Sequence, residues 1–280
     1  MTTLRFTKLH GAGNDFLLLD GIDAPPPEAP ERLAPAMCDR RAGVGADGLV
    51  LLVRSEVADA RFVLFNADGS RAETSGNGLR CAAKFLADRG RVTGEIVRLE
   101  TDAGIREVRV RRRGGAVVEA TADMGAPELL EEGIEIHAEG RSFRADVIAL
   151  GNPHVVVFLE EPLESFPVER FGPALERHPR FPNRMNVHFA RLLDGGAIEQ
   201  RSWERGSGET LACGSGACAS AVSAIRRARA ASEVLVRTRG GDLRVAWDGR
   251  GAVRLTGPAV EVSRGEWPLR GGAGDRPTVQ

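Results

Sequence analysis

The chain of 280 residues has no tyrosine and only two lysines, Lys8 and Lys84, among its 38 basic residues. That skew reads as a compositional bias rather than a fold signal. It also narrows the chemistry, because a pyridoxal phosphate enzyme needs a Schiff-base lysine and only these two are on offer. No run of ~18 apolar residues exists to span a membrane, and the opening "MTTLRFTKLHG" lacks the apolar segment of a signal peptide. The four cysteines, Cys38, Cys81, Cys213 and Cys218, form no C-x-x-C pair and are too few for a disulfide framework, so a reduced, cytoplasmic setting is expected. No HExxH and no sequence cluster of His and Cys points to a metal. Charge is balanced at 38 basic against 39 acidic residues, which leaves no footprint for nucleic acid or a membrane surface. The one basic run, Arg109 and Arg111 to Arg113 beside Gly114 and Gly115, reads as a solvated hairpin end.

What is present is repetition. "GNDFLLL" at 13–19 returns as "GNPHVVV" at 151–157, 138 residues further on, and Ser75 stands the same 138 residues before Cys213. At that offset Gly48 meets Asn186, Phe65 meets Trp203 and Asn66 meets Glu204. "AGIREVRVRRRGGAVVEAT" from Ala103 resembles "GGDLRVAWDGRGAVRLT" from Gly240, with the offset slipping by one or two. The period is too long for a solenoid, so the chain reads as two homologous halves: residues 1–120, residues 121–264, and a tail 265–280 that returns to the first half or, beyond Arg270, is disordered. Strand-like runs dominate each half, separated by Gly, Asp and Asn turns. One long helix per half follows "ETSGNGLRC" and "LACGSGACA", the first closing at a C′ glycine, Gly90, and the second in a basic last turn. A further helix is predicted near Glu31–Asp39. The expected fold is α+β, two pseudo-symmetric domains, each a mainly antiparallel sheet wrapped around a central helix, with the site in the cleft between them.

Each long helix would start on a small side chain flanked by glycine. A helix N-terminus presents unpaired N–H groups and partial positive charge, so it binds anions. Two such ends facing one cleft would hold one carboxylate from both sides, with Gly76, Gly78, Gly214 and Gly216 admitting the ligand to the backbone. The same position is expected to lower a thiol from ~8.5 toward neutrality, which makes Cys213 a general base. Two acid–base groups on opposite faces of one carbon invert a stereocentre. Ser75 also reads as an ordinary N-cap, a role to which cysteine is less suited. Cys81 and Cys218, inside the helices, read as packing thiols. His154, opposite Phe16 in the repeat, fits either a satisfied strand residue or the site.

"KLHGAGNDF", "RRAGVGADGLV", "FNADGS", "SGNGLRC", "GNPHVVVF", "RMNVHFA", "WERGSGETLACGSGACA" and "LTGPA" together resemble the diaminopimelate epimerase family, over about residues 4–265. The resemblance implies a cofactor-independent enzyme, usually a homodimer, that interconverts LL- and meso-2,6-diaminopimelate on the way to lysine and peptidoglycan. It puts Cys213 on one catalytic cysteine. It puts Asn14, Asn66, Asn152, Asn186, Glu204 and Arg205 on substrate-binding positions. Gly76, Asn77, Gly214 and Ser215 fall where the reacting carboxylate is held, and His154 and Glu204 where the thiols are tuned.

Two places depart from that pattern. The second catalytic cysteine falls on Ser75, preceded by Thr74 where Met is usual, and Gly48 stands where many members carry a side-chain amide. A hydroxyl is a far weaker acid than a thiol, so a symmetric thiol pair cannot operate. The alternatives are an asymmetric epimerase in which Ser75 still relays a proton, a racemase or one-base dehydratase acting on another amino acid, and an impaired amino-acid-binding paralogue. A single introduced change is the remaining account, and the accompanying Thr74 argues against it.

Overall fold

The computed structural model describes residues 3–23, 25–72 and 75–269; Thr74 and the tail from Arg270, with its expected disorder, lie outside them. The first half runs β1 (Thr3–Gly11), β2 (Asn14–Gly21), α1 (Pro30–Cys38), β3 (Gly48–Val53), β4 (Ala60–Asn66), β5 (Arg71–Ala72), α2 (Gly76–Asp88), β6 (Ile96–Thr101), β7 (Gly104–Arg113) and β8 (Ala116–Asp123). The second half repeats this order. After β9 (Glu128–Ala138) come β10 (Arg141–Ala149), β11 (Pro153–Phe158), α3 (Val168–Glu176), β12 (Asn186–Leu192), β13 (Ile198–Glu204) and β14 (Gly208–Thr210). Then follow α4 (Gly214–Arg226), β15 (Glu233–Thr238), β16 (Gly241–Ala246), β17 (Arg254–Pro258) and β18 (Val260–Pro268).

The strand partners repeat as faithfully as the order. In each half one parallel pair (β2 with β3, β11 with β12) and a second (β4 with β6, β13 with β15) interrupt an otherwise antiparallel run. β8 pairs antiparallel with β17 and joins the halves, Thr121 Oγ1 lying 2.8 Å from Thr256 Oγ1. The terminal strands cross over. β9, which follows the first half in sequence, lies on β10, and β18, which follows the second, lies on β1. The Arg109–Arg113 run ends β7 at the turn Gly114–Gly115, where both glycines have positive φ. It is a hairpin end.

The central helices form because small and apolar residues cover them on every side. α2 buries all of Gly76 to Ala87 and α4 all of Gly214 to Ala224, inside one core that takes side chains from both halves. α2 stops at Gly90 (φ +70°), with Arg91 N donating to Leu86 O, as the predicted C′ glycine requires. Cys81 and Cys218 are fully packed, and burial pushes both thiols up to about 12. They are packing residues. The outer helix α1 matches the expected Glu31–Asp39 segment, but its counterpart α3 was not expected. Shifting α1 by the 138-residue offset lands on Val168–Glu176, so the repeat itself carried that signal. Among the described residues no helix is long and apolar enough to cross a membrane.

Candidate functional site

α2 and α4 point their N-termini at each other. A Cβ on Gly76 would stand 2.5 Å from Leu255 Cδ2, and one on Gly214 would stand 2.9 Å from the same atom. Only glycine lets both helix starts reach this meeting point. Gly78 and Gly216, two residues on, pack against Phe62 and the ring of His188. The expectation that all four glycines admit a ligand is corrected for Gly78 and Gly216, which admit neighbouring side chains instead; Gly76 and Gly214 let the helices converge and also line the cleft above them.

A cleft of about 780 Å³ opens over the convergence, and both N-caps line it. Ser75 (φ −149°, ψ 111°) and Cys213 (φ −109°, ψ 111°) are both extended, and each hands its chain to a helix. Ser75 does cap: Gly78 N donates to its Oγ at 3.1 Å. That bond uses an oxygen lone pair and leaves the hydroxyl proton free. Cys213, 3% exposed, lies 3.7 Å from Ser215 Oγ.

The expectation of a lowered thiol does not hold in this setting. Burial, and after it the charge and hydrogen bonding of Glu204, push Cys213 well above its ordinary value; the Gly216 N–H and Ser215 pull it down without prevailing. Glu204 is itself raised, by desolvation first and by Asp47, against the bond it accepts from Thr210 Oγ1 at 2.6 Å and its contact with Cys213. Thiol and carboxyl therefore share a site where neither ionises easily. The helix end is outweighed by a carboxylate neighbour and the loss of water.

The cleft gathers nearly every expected residue. Asn14, Asn66, Asn77, Asn152 and Asn186 line it, with Gly76, Glu204, Arg205, Gly214 and Ser215. His154 does not: it is wholly buried behind Asn152, its Nε2 donating to Asn152 Oδ1 at 2.8 Å. Gly48 also lies outside the lining. A Cβ there would stand 2.8 Å from Phe65 O, so a longer side chain has no room.

Sequence reasoning overlooked the polar chain that holds Asn14. Arg80, fully buried, donates from Nη2 to Asn77 Oδ1 at 2.7 Å; Asn77 Nδ2 donates to Asn14 Oδ1 at 3.0 Å, and Asn14 Nδ2 to Asp47 Oδ2 at 2.7 Å. Arg40 closes the chain on Asp47 and Asp15, each at 2.7 Å. Burial would raise Asp15, but the hydrogen bonds and charges of Arg40 and Lys8 outweigh it and hold the carboxyl low. Asp15 and Asp47 sit in the quoted motifs "GNDF" and "GADG", where their pairing was not visible. Asn77 Nδ2 also reaches Ala212 O at 3.3 Å, tying one half to the residue before Cys213. His188 was overlooked too. Its ring, that of His154 and the Cys213 sulfur bring their ligand atoms within 4.8 Å of one another, a His and Cys cluster that no sequence spacing announced.

Known proteins give this geometry its context. The chain matches the family model described as diaminopimelate epimerase over residues 6–130 and 147–262. It is 42% identical over 281 residues to a diaminopimelate epimerase of Moorella thermoacetica, covering 95% of this chain and all of the relative. It is 38% identical over 276 residues to one of Methanococcus maripaludis, covering 94% and 99%. Among solved structures, a hydroxyproline epimerase from Agrobacterium vitis superposes with a TM-score of 0.76 at 20% identity, covering 94% and 92% of the two chains. A probable proline racemase from Agrobacterium radiobacter gives 0.79 at 18%, covering 95% and 93%, which shows the shared fold. With its family model and its curated relatives agreeing along almost the whole length, the chain belongs to the diaminopimelate epimerase family of isomerases.

Proposed function

We propose that the chain interconverts LL- and meso-2,6-diaminopimelate by moving a proton at one Cα, with Cys213 and Ser75 as the two acid–base groups. The observation that carries this reading is the convergence of two helix N-termini, capped by these two residues, on one cleft. The substrate's reacting carboxylate binds between the helix ends, against the N–H groups of Gly76, Asn77, Gly214 and Ser215. Asn14, Asn66, Asn152, Asn186 and Arg205 hold the remaining polar groups. Glu204, whose carboxyl is raised, accepts the proton of the Cys213 thiol. The thiolate then takes the Cα proton, and the electron pair left on carbon spreads into the bound carboxylate. Ser75 returns a proton from its free hydroxyl on the opposite face; water reprotonates it, and the hydroxide so formed takes the proton that Glu204 gained. Such a pair is unequal, so exchange is faster at the face Cys213 serves. A homodimer and a cytoplasmic setting belong to the same reading; four buried, unpaired cysteines suit a reducing compartment.

A racemase, a dehydratase for another amino acid and a binding paralogue are not favoured, since the relatives at about 40% identity carry the epimerase name. Solvent deuterium exchange at Cα, followed on each diaminopimelate stereoisomer, tests the proposal. Exchange from both the LL and meso isomers is expected, with unequal rates. Tight binding without exchange from any isomer would sink it.

A further inference from the structure

Behind Asn152 runs a buried polar chain. His154 Nε2 lies 2.8 Å from Asn152 Oδ1, and His154 Nδ1 lies 2.8 Å from His188 Nε2. His188 Nδ1 lies 3.0 Å from Ser202 Oγ, and Gln200 Nε2 donates to that oxygen at 3.0 Å. Both histidines are wholly buried, and Ser202 and Gln200 nearly so. The two ends fix the direction of the bonds. An acceptor, Asn152 Oδ1, stands at one end and a donor, the Gln200 amide, at the other. Ser202, accepting from Gln200, gives its own proton to His188 Nδ1. His188 then carries its proton on Nε2 and donates to His154 Nδ1, and His154 carries its proton on Nε2 and donates to Asn152. Both rings are neutral in this arrangement. Desolvation, first, pushes His154 well below its ordinary value, with His188 and Arg205 adding to it, and desolvation pushes His188 down to about 3. Every ring nitrogen is already engaged, so the cluster with Cys213 has no free imidazole lone pair for a metal.

We infer that this chain orients Asn152, and that His188 is its central positioning residue. With Oδ1 committed to His154, the Asn152 side chain turns its amide N–H pair to the cleft it lines. That edge meets an oxygen of the substrate. His154 thereby acts on the amide, since neither of its nitrogens is free to bond the thiol. The inference rests on the epimerase reading for the identity of the substrate, but not for the direction of the hydrogen bonds.

Two measurements test it. In protein labelled with 15N-histidine, two of the five histidines are expected as neutral Nε2–H rings that do not titrate between about pH 5 and pH 8. Fewer than two such rings among the five would overturn the inference without touching the epimerase reading. In kinetics, His188→Leu removes the donor to His154 and is expected to raise KM about tenfold with kcat within about twofold. His188→Gln puts an amide donor near the same place and is expected to bring KM within about threefold of the parent. A folded His188→Leu protein with unchanged KM, or a loss of kcat alone, overturns the inference. A parent that never exchanges Cα hydrogen overturns the proposed function instead, and calorimetric binding of diaminopimelate then replaces KM as the readout.

Discussion

The two halves share a backbone and differ in what stands behind their helix starts. In the first half Phe16, Val50, Phe62 and Leu64 occupy that place, all apolar and all in the central core. In the second, at the same offset of 138, stand His154, His188, Gln200 and Ser202. The strand registers agree: Val50 faces Leu64 as His188 faces Ser202. The first half instead holds its asparagine, Asn14, through Arg80, Asn77 and Asp47, from the helix side. The repeated geometry thus supports two chemistries. The half that keeps the thiol has a neutral polar backing, and the half that carries the hydroxyl has an oily one. Two equivalent asparagines are locked by unrelated means, which says that their orientation matters more than how it is held.

That comparison is open to attack in descending order of effect. Cys213→Ala removes the strong acid–base member and is expected to lower Cα exchange by about 10⁴-fold, read by deuterium incorporation. Retained exchange would make Ser75 the stronger partner. Ser75→Cys makes the halves chemically alike and is expected to raise turnover by about a hundredfold while sensitising the enzyme to oxidants. Turnover that stays flat would leave Ser75 as a cap alone.

Next come the matched glycines. Gly216→Ala drives a Cβ to within 2.1 Å of the buried His188 ring, and urea unfolding should show a loss of about 3 kcal/mol. Gly78→Ala meets Phe62 Cζ at 3.0 Å and Ser75 Cβ at 3.3 Å, far looser than the clash at Gly216, and the helix gain of alanine over glycine offsets about 1 kcal/mol, so a change near zero is expected. Equal losses at the two sites would mean the backings are equally rigid.

Smallest at neutral pH, where it vanishes, is the effect of the two histidines on stability, which emerges only in acid. His154 and His188 stay neutral when folded but protonate near 6.5 when unfolded, so below that pH the unfolded state binds more protons. Stability is unaffected by them above about 6.5 and falls as the pH drops from there toward about 3, the value to which burial pushes His188. His188→Leu should remove one of the two slopes, as followed by urea midpoints against pH. An unchanged acid limb would show that His188 is protonated in the folded protein.

Much of this was legible beforehand because a repeat is a pattern in sequence. The offset joining Ser75 to Cys213 also joins Asn14 to Asn152 and α1 to α3, so twofold architecture, central helices and most of the cleft followed from it. The helix α3 was overlooked although the offset pointed to it, Pro173 in α3 standing where Pro35 stands in α1. His188 escaped for a physical reason. On a strand it alternates like its neighbours, and only the pairing of β11 with β12 and of β12 with β13 brings it between His154 and Ser202.

By itself the sequence determined the fold class, the family and the identity of the two facing groups, since these depend on residue type and order along the chain. Tertiary structure alone decided that the Cys213 thiol is raised rather than lowered, that Gly78 and Gly216 serve packing, and that His154 bonds an amide. Burial and hydrogen-bond direction depend on what crosses from distant strands, and no local pattern encodes that.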